Sequence, residues 1–377
     1  MTPIQMVDLK RQYQKIKPEV DAAMQEVLDN TAFIHGEPER DFALKLAEYL
    51  GVKKVIPCAN GTDALQIALM ALDLQPGDEI ITPSFTFIAT AEVIALLKLK
   101  PVFVDVDEKT FCLDTGQIEA AITPRTKAII PVHLFGQSAD MEPLMTLAKA
   151  HHLYVIEDNA QAIGGDYTFS DGIKKKTGAI GDIGCTSFFP SKNLGCFGDG
   201  GAVMTNDEGL AEKMRMIANH GQSQRYYHDL VGCNSRLDSL QAAVLNIKLE
   251  HLDAYLSARR KAAAFYTRSF SGHDDLQVPY QADNTRHVFH QYTLLVRNNR
   301  RDELHDYLAA KEIPSMIYYP VAAHRQKMFQ GVADIPEHLP VTDRLVGEVL
   351  SLPMHSELDD DQLNFIASSV LDFFDTK

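Results

Sequence analysis

The sequence predicts an α/β protein, with a mostly parallel central sheet flanked by helices and a smaller C-terminal α+β unit. Three observations predict it. From about Lys54 short β-branched runs alternate with helical stretches, the chain is 377 residues long, and one helical pattern late in the sequence persists for more than six turns. Near-continuous apolar strands spaced by helices are what a sheet covered on both faces requires, because each strand shows apolar side chains to two layers. A chain of this length exceeds most single cores, so two units are expected.

The elements follow in order. KKVIP reads as a strand before a helix over 63–72, and DEIITP as a strand before a helix over 89–97. PVFVDV, KAIIPVH, LYVIED and GAVMTN repeat the pattern. From 235 to about 270, Leu237, Leu240, Ala243, Val244, Ile247, Leu252, Tyr255 and Leu256 recur at helical spacing, as in a helix that joins two units. QYTLLV, PSMIYYP and a helical pattern over 360–374 then suggest the smaller unit, and the boundary is expected near residue 250, giving units 1–250 and 251–377.

Composition removes several classes of function. With 45% hydrophobic and 23% charged residues the chain is an ordinary globular one, and its net charge of −15 argues against a nucleic-acid surface, which needs a basic face. Lys174–Lys176 is only a short basic patch, so an anionic substrate must be held by local groups against the global field. The five cysteines, Cys58, Cys112, Cys185, Cys196 and Cys233, include no C-x-x-C pair and no zinc-like histidine spacing. They read as reduced thiols in a cytoplasmic protein without a metal site. The N-terminus is polar and no apolar run reaches ~18 residues, so no membrane span is expected. The best candidate, 91–106, is interrupted by Lys98, Lys100 and Pro101.

Lys192 sits in SFFPSKNLGCFGDGGAV, in a turn between an apolar strand and a glycine cluster. One reading is a solvated surface lysine. The other is covalent: burial disfavours the ammonium, and the neutral amine then forms a Schiff base with an aldehyde. LYVIEDNAQAIGG reads as an apolar strand ending in two acids, which sets Asp158 at the carboxyl edge of the sheet, where ligands of such folds gather. Asp158 either caps a following helix or pairs with a buried cation; if the aldehyde is pyridoxal phosphate, that cation is the protonated ring nitrogen. Gln161, one helical turn on, is spaced to reach the ring hydroxyl oxygen.

In CANGTDALQIAL, Gly61 and Thr62 open a helix after a strand, which makes either a plain cap or a phosphate seat. Ser187 adds a hydroxyl that can share that phosphate. Phe87, in PSFTFIAT, is either a core aromatic or a ring that stacks on a planar cofactor. GDGGA has the glycines of a dinucleotide loop, but it runs into the strand AVMTN rather than opening a helix, and that reading fails on context.

An ordered set of motifs then spans essentially the whole chain: VDLKRQY, FIHGEPERDF, NGTDAL, PSFTFIAT, PVFVDVD, VHLFGQSADM, VIEDNAQAIG, SFFPSKNLG with GDGGA, NHG with YYH, GCNSRLDSLQAAVL, YYPVAAH and LSLPMH. In these the chain resembles the PLP-dependent sugar aminotransferases of the DegT/DnrJ/EryC1/StrS type. The resemblance implies the fold type I architecture of aspartate aminotransferase and pyridoxal 5'-phosphate as cofactor. By it Lys192 matches the Schiff-base lysine, Asp158 the partner of the pyridine nitrogen and Gln161 the contact to the ring hydroxyl. Gly61, Thr62 and Ser187 match phosphate-binding positions, and Phe87 the aromatic that covers the ring.

Asn234 corresponds to an asparagine that reaches the cofactor phosphate of the neighbouring subunit, so a homodimer with shared active sites is implied. Arg236 matches a residue of the nucleotide-sugar site, where a guanidinium suits a carboxylate or diphosphate. Two departures stand out. Tyr318, Tyr319 and Pro320 replace the usual His-Tyr-Pro at a substrate-contacting stretch, and Phe42-Ala43 replaces Phe-Glu.

The implied reaction has two halves: L-glutamate gives its amino group to the cofactor, and a keto sugar on a nucleotide receives it. The lysine loop is most similar to members that aminate C3 of UDP-linked 2-acetamido-3-oxo-glucuronate for cell-surface polysaccharides such as lipopolysaccharide. A 4-keto-6-deoxy nucleotide sugar is the alternative substrate. A sugar dehydratase and a non-catalytic relative are the remaining readings; dehydratases of this family carry histidine in place of Lys192.

Overall fold

The computed structural model describes residues 2–375. Two helices come first: α1 (Leu9–Asn30), capped by the Asp8 carboxylate, and α2 (Glu37–Leu50), with Pro38 in its first turn and Gly51 at φ +70° as its stop. Proline fits where the helix has no carbonyl to bond anyway, and glycine enters the left-handed region without a Cβ clash.

Strands and helices then alternate: β1 (Lys54–Cys58), α3 (Gly61–Ala71), β2 (Glu79–Pro83), α4 (Ala89–Leu96), β3 (Lys100–Val104), α5 (Thr115–Ala121), β4 (Thr126–Ile129), α6 (Met141–Ala150) and β5 (Tyr154–Asp158). A small excursion, β6 (Asp166–Thr168) and β7 (Lys174–Lys176), precedes β8 (Ile183–Ser187), β9 (Gly201–Thr205) and α7 (Glu208–Ala218). The ribbon of β10 (Gln222–Gln224) and β11 (Tyr227–His228) leads to the 32-residue α8 (Ser239–Phe270). This helix starts four residues later than its sequence pattern, because Ser235 N–H bonds the Ala218 carbonyl and Ser239 N–H the Phe33 carbonyl, holding the chain extended.

The main sheet has the order β1-β9-β8-β5-β4-β2-β3. From β8 to β3 every pair is parallel, whereas β9 is antiparallel to both neighbours. Six strands therefore bring their carboxyl ends to one edge, and β9 begins there: Gly201 pairs with Cys58 on one side and Ser187 on the other. A Cβ on Gly201 would lie 2.4 Å from the Asn60 carbonyl, so the glycine lets the turn after β1 close over the sheet. The residues that follow β1, β2, β5 and β8 share this rim.

Apolar side chains of α3, α4 and α7 cover one part of the sheet, and α2 with the first half of α8 covers another through Leu46, Leu245, Leu252 and Leu256. Each fully buried leucine contributes about 2 kcal/mol of transfer free energy. A second core gathers Tyr266 and Phe270 from the far half of α8 with β12 (Leu276–Gln277), β14 (Tyr292–Val296), α9 (Arg301–Ala310), β15 (Val349–Leu352) and α11 (Asp360–Asp375). The short β13 (Thr285–Arg286) pairs back onto β6, and α10 (Pro340–Glu348) packs Leu345 beside the main sheet.

Residue 250 lies inside α8, whose two halves face the two cores. Ile4 also packs in the second core, although sequence order groups it with the first unit. PSMIYYP forms no strand beyond a bridge from Met316 to Ser351. Its prolines at both ends explain that, since neither can donate to a ladder. Among the described residues no helix is long and apolar enough to cross a membrane.

Candidate active site

Lys192 stands on the turn after β8, at the rim where the parallel strands end. Its backbone N–H bonds the Phe189 carbonyl at 2.8 Å, and Cys196 N–H returns to the Phe188 carbonyl at 2.8 Å, so the turn closes on itself. Burial pulls the amine down to about 8, against the opposing pull of the Asp158 carboxylate. The structure thus takes Lys192 out of the class of solvated surface lysines and brings it to Asp158. An amine of this kind is neutral in a useful fraction near neutral pH.

Asp158 ends β5 and is 6% exposed. Thr90 Oγ1 donates to its Oδ2 at 2.7 Å and Ala160 N–H to its Oδ1 at 3.1 Å. The chain after it forms a turn rather than a helix, closed by Ala162 N–H on the Asn159 carbonyl, so the carboxylate has no helix to cap. Two donors fix its plane and leave acceptor capacity for a cation.

Gln161 is held from both ends. Its Oε1 accepts from Phe135 N–H at 2.7 Å, and its Nε2 donates to the Tyr319 hydroxyl at 3.0 Å. The amide orientation follows from this, and one N–H of Nε2 is left for a further acceptor. Tyr319 packs among Phe85, Phe87 and Phe135, and burial keeps its phenol protonated. Tyr318 is half-buried beside it. Phe87 is 54% exposed, so it is no core aromatic; its ring lies 6.1 Å from that of Tyr319 and presents a free face at the rim.

Gly61 begins α3, where Asn60 Oδ1 caps the Asp63 N–H at 2.8 Å. The N–H groups of Gly61 and Thr62 have no acceptor among the described residues, and they sit at the positive end of an 11-residue helix. A Cβ on Gly61 would lie 2.7 Å from Ser187 Cβ, which shows how closely the seat and the serine meet. Asn193, next to Lys192, is 3% exposed, and neither end of its amide has a partner among the described residues. An orphaned amide, free helix N–H groups, an uncovered ring, a buried carboxylate and an amine with lowered proton affinity together fit a phosphorylated aromatic aldehyde.

Asn234 and Arg236 lie on either side of Ser235, which touches the turn after β1. Asn234 is exposed and bridged to Asn219, while the adjacent Ser235 hydroxyl accepts from Ala59 N–H at 3.0 Å. Arg236 lines a cavity of about 680 Å³ with His35, Glu39, Lys54 and Arg215. Burial raises the Glu39 carboxyl there, against His35 and, more weakly, Arg236.

Sequence reasoning missed the supports behind the rim. Thr90 is one. Glu157 is another: wholly buried, it accepts from His133 Nε2 at 2.8 Å and from the N–H groups of Gly178, Ile180 and Gly181. Burial pushes its pKa up, and those donors outweigh it, so the net shift is downward. His133 Nδ1 accepts from Ala139 N–H, and His133 N–H bonds the Asp158 carbonyl at 3.1 Å. The acid pair at the end of LYVIED was the signal: one acid serves the rim and the other the scaffold.

These features define a pyridoxal-phosphate site on a fold type I scaffold. The profile of the DegT/DnrJ/EryC1/StrS aminotransferase family matches residues 14–371, and the chain belongs to that family. It is 48% identical over 369 residues to a UDP-N-acetyl-3-dehydro-alpha-D-glucosamine 3-aminotransferase of Acidithiobacillus ferrooxidans, covering 98% of this chain and 97% of the relative. It is 46% identical over 367 residues to the UDP-2-acetamido-2-deoxy-3-oxo-D-glucuronate aminotransferase of Pseudomonas aeruginosa, covering 97% and 99%. A Geobacillus stearothermophilus relative described as a pleiotropic regulatory protein is 46% identical over 373 residues, covering 98% of each.

The solved structure of Streptomyces venezuelae DesV with a ketimine intermediate superposes with a TM-score of 0.94 at 40% identity over 99% of both chains. That of Bacillus subtilis NtdA with bound PMP gives 0.92 at 29% identity, over 100% of this chain and 86% of that one. The protein is a PLP-dependent aminotransferase.

With the cofactor bound, Lys192 would hold it, Asp158 would meet its ring nitrogen, Gln161 its ring oxygen and Phe87 its face, and Gly61, Thr62 and Ser187 would seat its phosphate. The cofactor when bound supplies an electron sink for the carbon that loses its proton. The protein supplies the rest. Lys192, as a free amine of lowered proton affinity, would take that proton and return it, and the buried Asp158 carboxylate would keep a ring nitrogen beside it charged.

Because burial sets the Lys192 amine at about 8, uptake of pyridoxal phosphate by cofactor-free protein should accelerate as pH rises and level off above that value. Stopped-flow absorbance between pH 6 and pH 9 measures it, each unit below the midpoint slowing uptake about tenfold. A flat profile would mean that the amine is already neutral at pH 6.

Proposed function

We propose that this aminotransferase transfers the amino group of L-glutamate to the C3 ketone of a UDP-linked 2-acetamido-3-oxo sugar, with 2-acetamido-2-deoxy-3-oxo-glucuronate as the substrate that fits best. The carrying observation is the pairing of an intact Lys192–Asp158–Gln161 rim with near-full-length identity of 46–48% to two enzymes named for 3-oxo UDP-sugars. A 4-keto-6-deoxy sugar is the second reading; a Streptomyces venezuelae relative 41% identical over 356 residues, named a dTDP-3-amino-3,4,6-trideoxy-alpha-D-glucose transaminase, differs in nucleotide and deoxy pattern but keeps the amino group at C3, which favours the first.

The protein works as a homodimer in the cytoplasm, supplying an amino sugar for cell-surface polysaccharide. Asn234 completes the neighbour's phosphate seat, and Arg236 meets the neighbour's nucleotide sugar. The exposed side chain of Asn234 and the cavity that Arg236 lines support this, since both are open to a neighbouring chain. Tyr318 and Tyr319 border the sugar, with Tyr318 in the place of a histidine.

The test is amination run in reverse. The protein with pyridoxal phosphate and 2-oxoglutarate is offered UDP-linked 3-amino and 4-amino sugars, with and without a C6 carboxylate, and glutamate is measured. Preference for the 3-amino uronate supports the proposal, and preference for a 4-amino-6-deoxy sugar overturns it. With the preferred sugar, Arg236→Gln should raise KM by about 10- to 100-fold with a smaller change in kcat, since a bidentate pair with a carboxylate or diphosphate is worth ~1.5–3 kcal/mol.

A further inference from the structure

Lys248, midway along α8, is 1% exposed. Lysine is almost never buried so completely without an acid to pair with it, and here no carboxylate lies within ion-pair distance among the described residues. Among the described residues its one side-chain hydrogen bond runs from Nζ to the Gly195 carbonyl at 2.5 Å, in the turn that carries Lys192. The ring of Phe197 lies 5.7 Å from the same amine.

Gln241, seven residues earlier and so on the same face of α8, accepts from Phe197 N–H at 2.8 Å. The turn is otherwise braced by its own backbone and by Phe188, Leu194 and Cys196, which pack into the core under α8. Gly195 is the tightest point: a Cβ there would come within 2.4 Å of the Pro190 carbonyl. A donor on Gly195 therefore acts on a loop with little slack, three residues from Lys192.

We propose that Lys248 is a positioning residue, tying the lysine-bearing turn to α8 and so setting where the Lys192 amine stands against Asp158. Burial holds the Lys248 amine down at about 8, with Cys196 pulling it up and Arg259 pushing it further down. An amine so placed is unfavourable for the fold taken alone, since an apolar side chain of the same length would fill the space without a buried charge. Its gain is in the loop it holds.

The inference rests on Lys192 as the cofactor-bearing residue, and the experiment separates the two. Lys248→Met and Lys248→Gln are compared with the parent protein by three measurements: thermal melting without cofactor, pyridoxal phosphate affinity, and the pH midpoint of the visible band of the bound cofactor. Lys248→Met is expected to melt at or above the parent temperature, to bind the cofactor several-fold more weakly, to shift the pH midpoint and to lower turnover by about 10²-fold, the size expected of a misplaced reacting group. Lys248→Gln keeps an N–H donor without the charge and should recover part of each loss.

Unchanged affinity and midpoint in Lys248→Met would overturn the inference. So would a fall in melting temperature that alone accounts for the loss, because Lys248 would then be a stabilising residue only. If the parent protein itself shows no visible band with pyridoxal phosphate, the assignment of Lys192 fails, and this inference fails with it.

Discussion

Lys192→Ala should abolish the visible band of bound cofactor and cut turnover by at least about 10⁴-fold, because this one side chain is proposed both to hold the cofactor and to move the proton. Lys192 is the only lysine at the rim whose amine faces the Asp158 carboxylate in the described residues, with burial lowering it to about 8. Phosphate seat, ring-nitrogen partner and covering ring are separate contacts, so the variant should still bind pyridoxamine phosphate. Binding without turnover, read by calorimetry and by glutamate assay, is the expected combination. Residual activity within tenfold of the parent would assign the proton transfer elsewhere.

The same variant tests whether sites are shared between subunits. Asn234→Ala should weaken cofactor retention, since Asn234 is exposed in one chain and is proposed to meet the phosphate of the next. A mixed dimer of Asn234→Ala with Lys192→Ala holds one site with neither defect and one with both. It should recover up to half of the parent activity, measured on dimers isolated through two different affinity tags. No recovery in a verified mixed dimer would place Asn234 in its own subunit's structure.

The order of strands and helices was legible because the apolar runs of LYVIED, DEIITP and their companions have a single physical use, a sheet buried on both faces. The rim followed, since a parallel sheet brings Asp158, Ser187, Gly61 and the segment of Phe87 to one edge. What pattern cannot carry is contact between residues remote in sequence. Thr90 meets Asp158 across 68 positions, Gln161 meets Tyr319 across 158, and Lys248 meets Gly195 across 53. Their residue types fit other uses equally well. Thr90 reads as a residue of a helix start, and Lys248 as a polar position on a helix. The later start of α8 belongs to the same class, because Ser235 to Leu237 have helical spacing but are held extended by the Ala218 carbonyl and the Ala59 N–H. Tyr319 joined the substrate residues by its place in YYPVAAH, and the structure sets it among Phe85 and Phe135 with its hydroxyl accepting from Gln161, a contact across the chain that the motif does not show.

Asp158→Asn isolates the electrostatic contribution. The substitution keeps size and an acceptor for Thr90, but it removes the charge proposed to face the ring nitrogen, and its amide cannot accept from both Thr90 and Ala160 in the present geometry. A ring nitrogen without an anionic partner loses its proton near neutral pH, and the site then no longer draws electrons from the reacting carbon. Turnover should fall by about 10²- to 10³-fold, as when one preorganised charge or donor is removed from a site that excludes water. Lys192 remains, so cofactor should still be held covalently and its visible band retained. The two variants are therefore expected to part on one observable: Lys192→Ala loses the band and Asp158→Asn keeps it, although both lose turnover. Glu157→Gln gives the contrast within the same strand. Its carboxylate faces His133 and three backbone N–H groups rather than the rim, so the amide's two hydrogens meet donors. Its loss should appear as a lower melting temperature of the cofactor-free protein, a measurement that Asp158→Asn should move less, because it leaves one buried donor unmet rather than two. If Asp158→Asn instead lowers melting as much as Glu157→Gln does, the two acids that end β5 share a structural task, and the charge at the ring nitrogen must be sought in another residue.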